Sequence, residues 1–357
     1  MSKVLVGIAN YKDTEYLRML LQSIRWYTYK DDPDFDIVVC DDGSGDEWVN
    51  GKATLPGVAD VDSVSAICAF YGATLICHEK NLGIPATWNH LVEALGGKHD
   101  IVLLLNNDML MVPGWLKTVV HFLEANRHNP HVGSVFLQPR HVPRDNPKDV
   151  FKAILPTIGH TVWKFDDLCS GAERHHEWLA HQELQARLNL ARSERRLPSR
   201  EQEGQGLGRV MCPCGCSFAF TRDVWNRVGP FDERLTSFHE ESDWGTRCAS
   251  MGLASYALPY PRPYHVISGT FMQSPELQQS ERMVASRRLY RQIWNVPAEI
   301  EPGGAGFSYV HERYMSAIPR TTLKFLTPDY SQPPSEHTLV GGEVVLAPVL
   351  VEKEWTC

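Results

Sequence analysis

The stretch IVLLLNNDMLMVPGWL, residues 101–116, decides the fold. Ile101 to Leu105 form an apolar run short and dense enough for a strand buried on both faces. The run leads straight into Asn106, Asn107 and Asp108, which puts two amides and a carboxylate at the mouth of a core strand. Asn and Asp favour turns, and Pro113-Gly114 follows closely, so taken alone these residues fit a turn as well as they fit a binding edge.

The surrounding pattern separates those alternatives. VLVGIA (4–9) reads as another buried strand. In DTEYLRMLLQSIRWY, which follows it, Leu17, Leu20, Leu21 and Ile24 recur at helical spacing behind Asp13 or Thr14 as N-cap. FDIVVC (35–40) is a strand that runs into Asp41-Asp42-Gly43-Ser44. Residues 61–71 read as a helix, ATLICH (73–78) as a strand, and PATWNHLVEALGG (85–97) as a helix opened by Pro and closed by Gly. VGSVFLQ (132–138) is a further strand. This alternation is that of a doubly wound α/β sheet, whose ligands sit beyond the carboxyl ends of the strands. The polar clusters at 10–13, 41–46 and 106–108 all fall there, so residues 106–108 mark the ligand edge of the sheet.

Residues 140–208 break the rhythm and read as an insertion, with a polar helix at 174–196 and the linker EQEGQGLG (201–208). MCPCGCSFAFTRDVWNRVGPFDE (211–233) restores a strand and a short helix, ESDWGTRCASMG (241–252) is a helix with a glycine stop, and a polar helix follows at about 275–294. The last sixty residues are rich in Pro and Gly, with one strand-like stretch, EVVLAPVLV.

Composition narrows the class. The 357 residues are 43% hydrophobic and 22% charged, as in a globular protein with a full core. A net charge of -8 argues against binding nucleic acid or anionic membrane by bulk charge, though not against a local basic groove. The start MSKVLVGIANYKD offers too short an apolar run for a signal peptide, and no run approaches a membrane span. With nine scattered cysteines, the expectation is a cytoplasmic or membrane-peripheral protein with reduced thiols.

Other clusters carry possible chemistry. Ser237-Phe238-His239-Glu240 has the spacing of a capping box, which leaves Glu241 and Asp243 near a helix start. Crowded carboxylates raise one another's proton affinity, which suits a general base; an acidic helix start favoured by the dipole is the plainer reading. His265, after a proline-rich turn, gains a role only if it joins Asp108 on one metal. Cys212, Cys214 and Cys216 would share one face of a strand and read as small buried thiols rather than a zinc knuckle.

In order along the chain, VLVGIANYKDTEYLRMLLQSI, VVCDDGSGD, NLGIPATWN, LLLNNDMLMVPGWL, GCSFAFTRDVWNRVGPFDE and FHEESDW followed by His265 resemble the inverting glycosyltransferases of family 2. The rhamnosyl- and galactofuranosyltransferase-like branches are the most similar. The resemblance implies a GT-A fold, a Rossmann-like mixed α/β sheet flanked by helices, over residues 1–270 with the helical insertion at about 140–208, then a C-terminal helix and irregular extension over 271–357. It implies a nucleoside-diphosphate sugar as donor, flanked by Ala9, Asn10 and Tyr11, contacted by Asp41 and Asp42, and approached by Asn81, Asn89, Asn106 and Asn107. Asp108 and His265 would hold Mn²⁺ or Mg²⁺. Glu241 would be the catalytic base, with Asp243 in support. Asn106 stands where the family's motif begins with an acid, which removes one charge from the metal site. Glu241 stands where the family has Asp, which extends the carboxylate by one methylene.

The acceptor implied is a glycan or lipid-linked glycan. The helix at 174–196, with Arg174, Arg187, Arg192, Arg195 and Arg196 among glutamates, reads as a mixed solvated face or, more sharply, as a phosphate-tracking surface for a nucleic-acid acceptor such as a hydroxymethylated base. A non-catalytic nucleotide-sugar-binding protein is the competing class. The polar helix at 275–294 would pack a homo-oligomer or cap the site.

Overall fold

A computed structural model of the chain describes residues 2–28, 32–51, 63–141, 207–210, 213–236, 238–266, 281–300, 310, 313–328, 335–338, 344–347 and 350–356. The elements in chain order are β1 (Val4–Asn10), α1 (Glu15–Trp26), β2 (Phe35–Asp41), α2 (Asp46–Val49), α3 (Val64–Phe70), β3 (Thr74–Cys77), α4 (Ile84–Glu93), β4 (Ile101–Asn106), β5 (Met109–Leu110), α5 (Trp115–Ala125), β6 (Val132–Leu137) and β7 (Arg140–His141). They continue with β8 (Gly208–Val210), β9 (Ser217–Thr221), α6 (Arg222–Val228), α7 (Glu240–Ser250), β10 (Ala254–Leu258), β11 (Tyr264–His265), α8 (Glu281–Ile293), β12 (Thr322–Pro328), β13 (Ser335–Thr338), β14 (Val344–Ala347) and β15 (Leu350–Thr356).

The main sheet has eight strands in the order β3-β2-β1-β4-β9-β6-β10-β8. Strands β3, β2, β1 and β4 run parallel, as do β6 and β10, while β9 lies antiparallel between β4 and β6 and β8 lies antiparallel at the edge. The sheet is therefore mixed, with helices on both faces. The apolar run of β4 has its cause here: the strand sits between β1 and β9, and Ile101 to Leu105 are all buried.

Side chains on a strand alternate between faces, and they divide the core in two. Val4, Val6, Ile8, Ile101, Leu103 and Leu105 join α1 and α5 in one cluster. Leu5, Val102 and Leu104 join Trp88, Phe218, Phe220 and Trp244 in the other, beneath α4, α6 and α7. A Cβ on Gly7 would lie 3.1 Å from Cδ2 of Leu104 and 3.2 Å from Cβ of Leu91, so this glycine lets α4 press onto β1. Leu104→Ala is expected to cost about 2–5 kcal/mol, read as a lower urea midpoint at unchanged slope.

Helix α1 is capped by Asp13, whose Oδ1 accepts the Tyr16 N–H at 2.7 Å; Thr14, the residue preceding the helix, makes no side-chain cap. The turn into α4 needs Gly83, which has φ +96°, and a Cβ there would stand 2.6 Å from the Thr236 carbonyl oxygen.

Ser237 of the expected capping box lies outside the described residues; the residue before α7 is His239, which makes no side-chain cap, and Phe238 and His239 both take left-handed backbone (φ 63° and 70°), so the helix begins at Glu240. Among the described residues the C-terminal part has four strands where one was expected. Strands β12 and β15 pair antiparallel, as do β13 and β14, and Leu323 and Phe325 bury into the main core, where the Asn126 amide pairs with the Lys324 backbone in both directions. The polar helix expected at about 275–294 is described over Glu281–Ile293, and residues 275–280 lie outside the described residues. The proposed helix at 174–196 and most of the insertion lie outside the described residues.

Candidate active site

The carboxyl ends of the central strands carry a buried polar ladder. Asn10 ends β1 beside Asp41 at the end of β2, and Ala9 is level with Asn106 on β4. Asn107 donates from Nδ2 to Asn10 Oδ1 at 2.9 Å, and Asn10 donates from Nδ2 to Asp41 Oδ2 at 2.9 Å. Ser44 donates to both Asp41 oxygens, through its N–H at 2.9 Å and its hydroxyl at 2.7 Å, and its Oγ accepts the Lys12 N–H at 2.7 Å. Asp41 is wholly buried, so its carboxylate fixes the edge formed by Ala9, Asn10 and half-buried Tyr11.

Asp42 does similar work one residue on. Its Oδ1 accepts the Leu82 N–H and pairs with His78 Nδ1, both at 2.8 Å, and its Oδ2 accepts the Gly83 N–H at 2.9 Å. It thereby holds the loop that carries Asn81, whose Oδ1 accepts from Arg282 of α8 at 2.8 Å. Asn89 is committed elsewhere: its Oδ1 accepts the Phe231 N–H, and its Nδ2 donates to the Phe231 carbonyl and to Glu233. Its amide ties α4 to the 231–233 loop. Asn89→Ala leaves a buried N–H and carbonyl unpaired, so it is expected to cost about 1–3 kcal/mol of stability with little change in donor KM.

Asp108 and His265 do meet. A small sheet, β5-β11-β7, sets His265 opposite Met109, and the Val266 N–H bonds the Asp108 carbonyl at 3.1 Å. His265 Nε2 then stands 3.3 Å from Asp108 Oδ1, both residues buried. Burial opposes the charged imidazole, but the Asp108 carboxylate outweighs it, and the His265 pKa is raised.

Helix α7 supplies the acids. Glu241 is half-buried and has one carboxylate oxygen without a partner. Burial is the main cause that lifts its pKa to about 7, with the neighbouring Cys214 adding to it. Glu240 is buried, also has an unpartnered Oε2, and is held well above the usual carboxylate range by burial and by Glu241. Asp243 is spent on structure: Oδ2 accepts from Arg247 Nε at 2.9 Å and Oδ1 accepts from Trp294 Nε1 at 3.0 Å.

The turn at Pro213–Cys216 links the acids to the strand ends. The Asn106 N–H donates to the Cys216 carbonyl at 2.9 Å, and a Cβ on Gly215 would stand 3.5 Å from Glu241 Cδ. Cys214 and Cys216 lie on this turn, ahead of β9, and not on one strand face as expected, because the ladder with β4 starts only at Ser217. Tyr290 and Trp294 gave no signal in the sequence. Tyr290 stacks on His239 with ring centroids 5.0 Å apart and pairs its hydroxyl with Thr246 at 3.1 Å.

The donor set suits a divalent cation. Asp108 offers a carboxylate and His265 an imidazole, and Asn106 Oδ1 is a buried oxygen without a partner. Hard oxygen donors with one imidazole fit Mn²⁺ or Mg²⁺. Among the described residues, no three His, Cys, Asp or Glu side chains are already gathered on one point, so the remaining ligands would come from a bound diphosphate and water.

The chain thus has a mixed sheet with a polar ladder at its strand ends, an Asp–His pair, and a half-buried acid on the facing helix. The model of the family "Glycosyltransferase like family 2" matches residues 2–292, and the chain belongs to that family. No curated protein sequence matches it. Among solved structures it is similar to Staphylococcus aureus TarS 1–349, at 14% identity and TM-score 0.47, over 88% of this chain and 70% of that one. It is also similar to the mannosyltransferase PcManGT from Pyrobaculum calidifontis, solved with GDP-Man and Mn²⁺, at 13% identity and TM-score 0.49, over 89% and 71%. GalNAc-T7, solved with UDP, GalNAc and Mn²⁺, matches at 13% identity and TM-score 0.45, over 74% and 44%. Among the described residues no helix is long and apolar enough to cross a membrane.

Proposed function

We propose that the protein transfers a sugar from a nucleoside-diphosphate sugar to an acceptor hydroxyl with inversion at the anomeric carbon. The observation that carries this reading is the half-buried Glu241 carboxylate, raised to about 7 with one oxygen free, joined through the 214–216 turn to the Asp108–His265 edge. Ala9, Asn10 and Tyr11 flank the nucleoside, held in place by Asp41 and Asp42; Asn81, Asn106 and Asn107 border the diphosphate, and Asn89 shapes α4 behind it. Asp108 and His265, with Asn106, hold Mn²⁺ or Mg²⁺, which when bound neutralises the charge growing on the leaving diphosphate. Glu241 takes the acceptor proton as the hydroxyl attacks, and Asp243 fixes the helix that presents it.

The sugar we favour is of the rhamnosyl or galactofuranosyl kind, the acceptor a glycan or lipid-linked glycan, and the setting cytoplasmic. A panel of UDP-, GDP- and dTDP-sugars with Mn²⁺ or Mg²⁺, read by release of free nucleoside diphosphate, tests the donor and the cation together. No release from any donor, with no donor-induced rise in melting temperature, would overturn the reading.

The base works only when ionised, so the transfer rate is expected to rise with pH through about 7 and level off above it. A flat profile of kcat/KM across that window would remove Glu241 from the role.

A further inference from the structure

The turn that joins Glu241 to Asn106 carries a pair of thiols that sugar transfer does not use. Cys214 Sγ and Cys216 Sγ lie 3.3 Å apart, and both cysteines are free. Cys214 is half-buried, while Cys216 is 3% exposed. Cys214 is therefore the more exposed residue of the pair and Cys216 the sheltered one. Gly215 stands between them with no side chain to resist a tighter turn. The Cys214 carbonyl accepts the Ser217 N–H at 3.2 Å, and the Cys216 carbonyl accepts the Asn106 N–H at 2.9 Å. A Cβ on Gly215 would stand 3.3 Å from Trp88 and 3.5 Å from Glu241, so the turn borders the candidate base with room for no side chain between them.

We propose that Cys214 and Cys216 form a reversible dithiol–disulfide site in the wall of the active site, with hydrogen peroxide or an organic hydroperoxide as oxidant. The Cys214 sulfur attacks the peroxide oxygen, the O–O bond breaks, and Cys214 becomes a sulfenic acid as water (or an alcohol) leaves. The Cys216 sulfur then attacks the sulfenic sulfur, the S–S bond forms, and the hydroxyl departs as water with the thiol proton. Two thiols are oxidised and one peroxide is reduced. An added dithiol reverses the step by exchange.

A disulfide holds its sulfurs about 2.05 Å apart, so the pair must close by more than about 1 Å. That movement falls on Gly215 and on the carbonyl bonded to Asn106. A misplacement of about 1 Å at a reacting group costs about 10²-fold in rate, so the oxidised protein is expected to turn over about 10- to 100-fold more slowly. The loss of turnover rests on the transfer reading above; the disulfide does not.

The test treats the full chain with hydrogen peroxide, blocks the remaining thiols, and maps the linkage by peptide mass spectrometry while nucleoside-diphosphate release is followed in parallel. The expected result is a Cys214–Cys216 crosslink, a 10- to 100-fold loss of release, and recovery with dithiothreitol. Cys216→Ser should form no crosslink and leave a sulfenic acid on Cys214 that dimedone traps. Three outcomes would each overturn the proposal: both thiols still free at a dose that oxidises exposed Cys77, either one linked to Cys212 instead, or the crosslink formed at unchanged turnover. If the reduced protein releases nucleotide from no donor, the transfer reading falls, and the crosslink map alone decides the dithiol site.

Discussion

Glu241→Gln is expected to lower turnover by about 10²- to 10⁴-fold while donor affinity stays within about twofold of wild type. The amide keeps the size and shape of the carboxyl, so it leaves the contact with Gly215 intact and removes only the ability to take a proton. Loss of fold does not offer a rival explanation, and the sign of the pKa shift shows why. The folded protein holds the Glu241 proton more tightly than the unfolded chain, so this group's contribution is greatest at low pH. It is lost as pH rises from the ordinary carboxylate range through about 7. A neutral Gln escapes that loss, and the variant should melt no lower than wild type at about pH 8. Donor titration by calorimetry and single-turnover transfer separate binding from chemistry. A variant that binds donor and still turns over at near wild-type rate would remove Glu241 from the role of base, while a wild-type protein that binds donor and never turns it over would bring forward a non-catalytic sugar-nucleotide binder.

Asp108→Ala is expected to reduce cation-stimulated release of nucleoside diphosphate by at least about 10²-fold, the equivalent of roughly 3 kcal/mol of transition-state stabilisation. It should also abolish any rise in melting temperature on adding Mn²⁺ to the donor-free protein. The substitution removes a carboxylate and leaves His265 buried beside an apolar methyl group, so the imidazole loses the charge that raised its pKa. His265→Ala should show the same cation phenotype in weaker form, because one imidazole is replaceable by water more readily than a carboxylate charge. Stimulation by Mn²⁺ that survives in Asp108→Ala would place the cation elsewhere and free Asp108 for a purely structural role at the end of β4.

The acceptor is reached by a different experiment. Steep loss of acceptor binding with added salt would favour a nucleic-acid acceptor over a glycan, because phosphate contacts release counterions and hydroxyl contacts do not.

The strands and helices of the first half were legible because periodicity reports burial. A run such as Ile101 to Leu105 is apolar at every position only if both faces are covered, and Leu17, Leu20, Leu21 and Ile24 recur at helical spacing because one face of α1 meets the sheet. From those runs followed the order of elements and the gathering of polar groups, the triplet at 106–108 among them, at the strand ends. The family likeness added roles for Asp108, Glu241 and His265, which spacing alone does not assign.

Tertiary structure decided the rest, because hydrogen-bond partners are chosen by what meets in space. Asp41 and Asp42 look equivalent in sequence, yet one closes the Asn10–Asn107 ladder and the other holds the 82–83 turn. Asp243 is an acid near a helix start until Arg247 and Trp294 claim both its oxygens. Left-handed backbone at Phe238 and His239 sets the helix start at Glu240, a turn that local spacing does not reveal. The cysteines alternate like strand residues but sit on a turn, because the antiparallel ladder with β4 starts only at Ser217. Sequence determined which residues are buried and where polar groups must gather. Which of those groups remain free to act was settled only by long-range pairing, since a local pattern fixes a residue's face and not its partner.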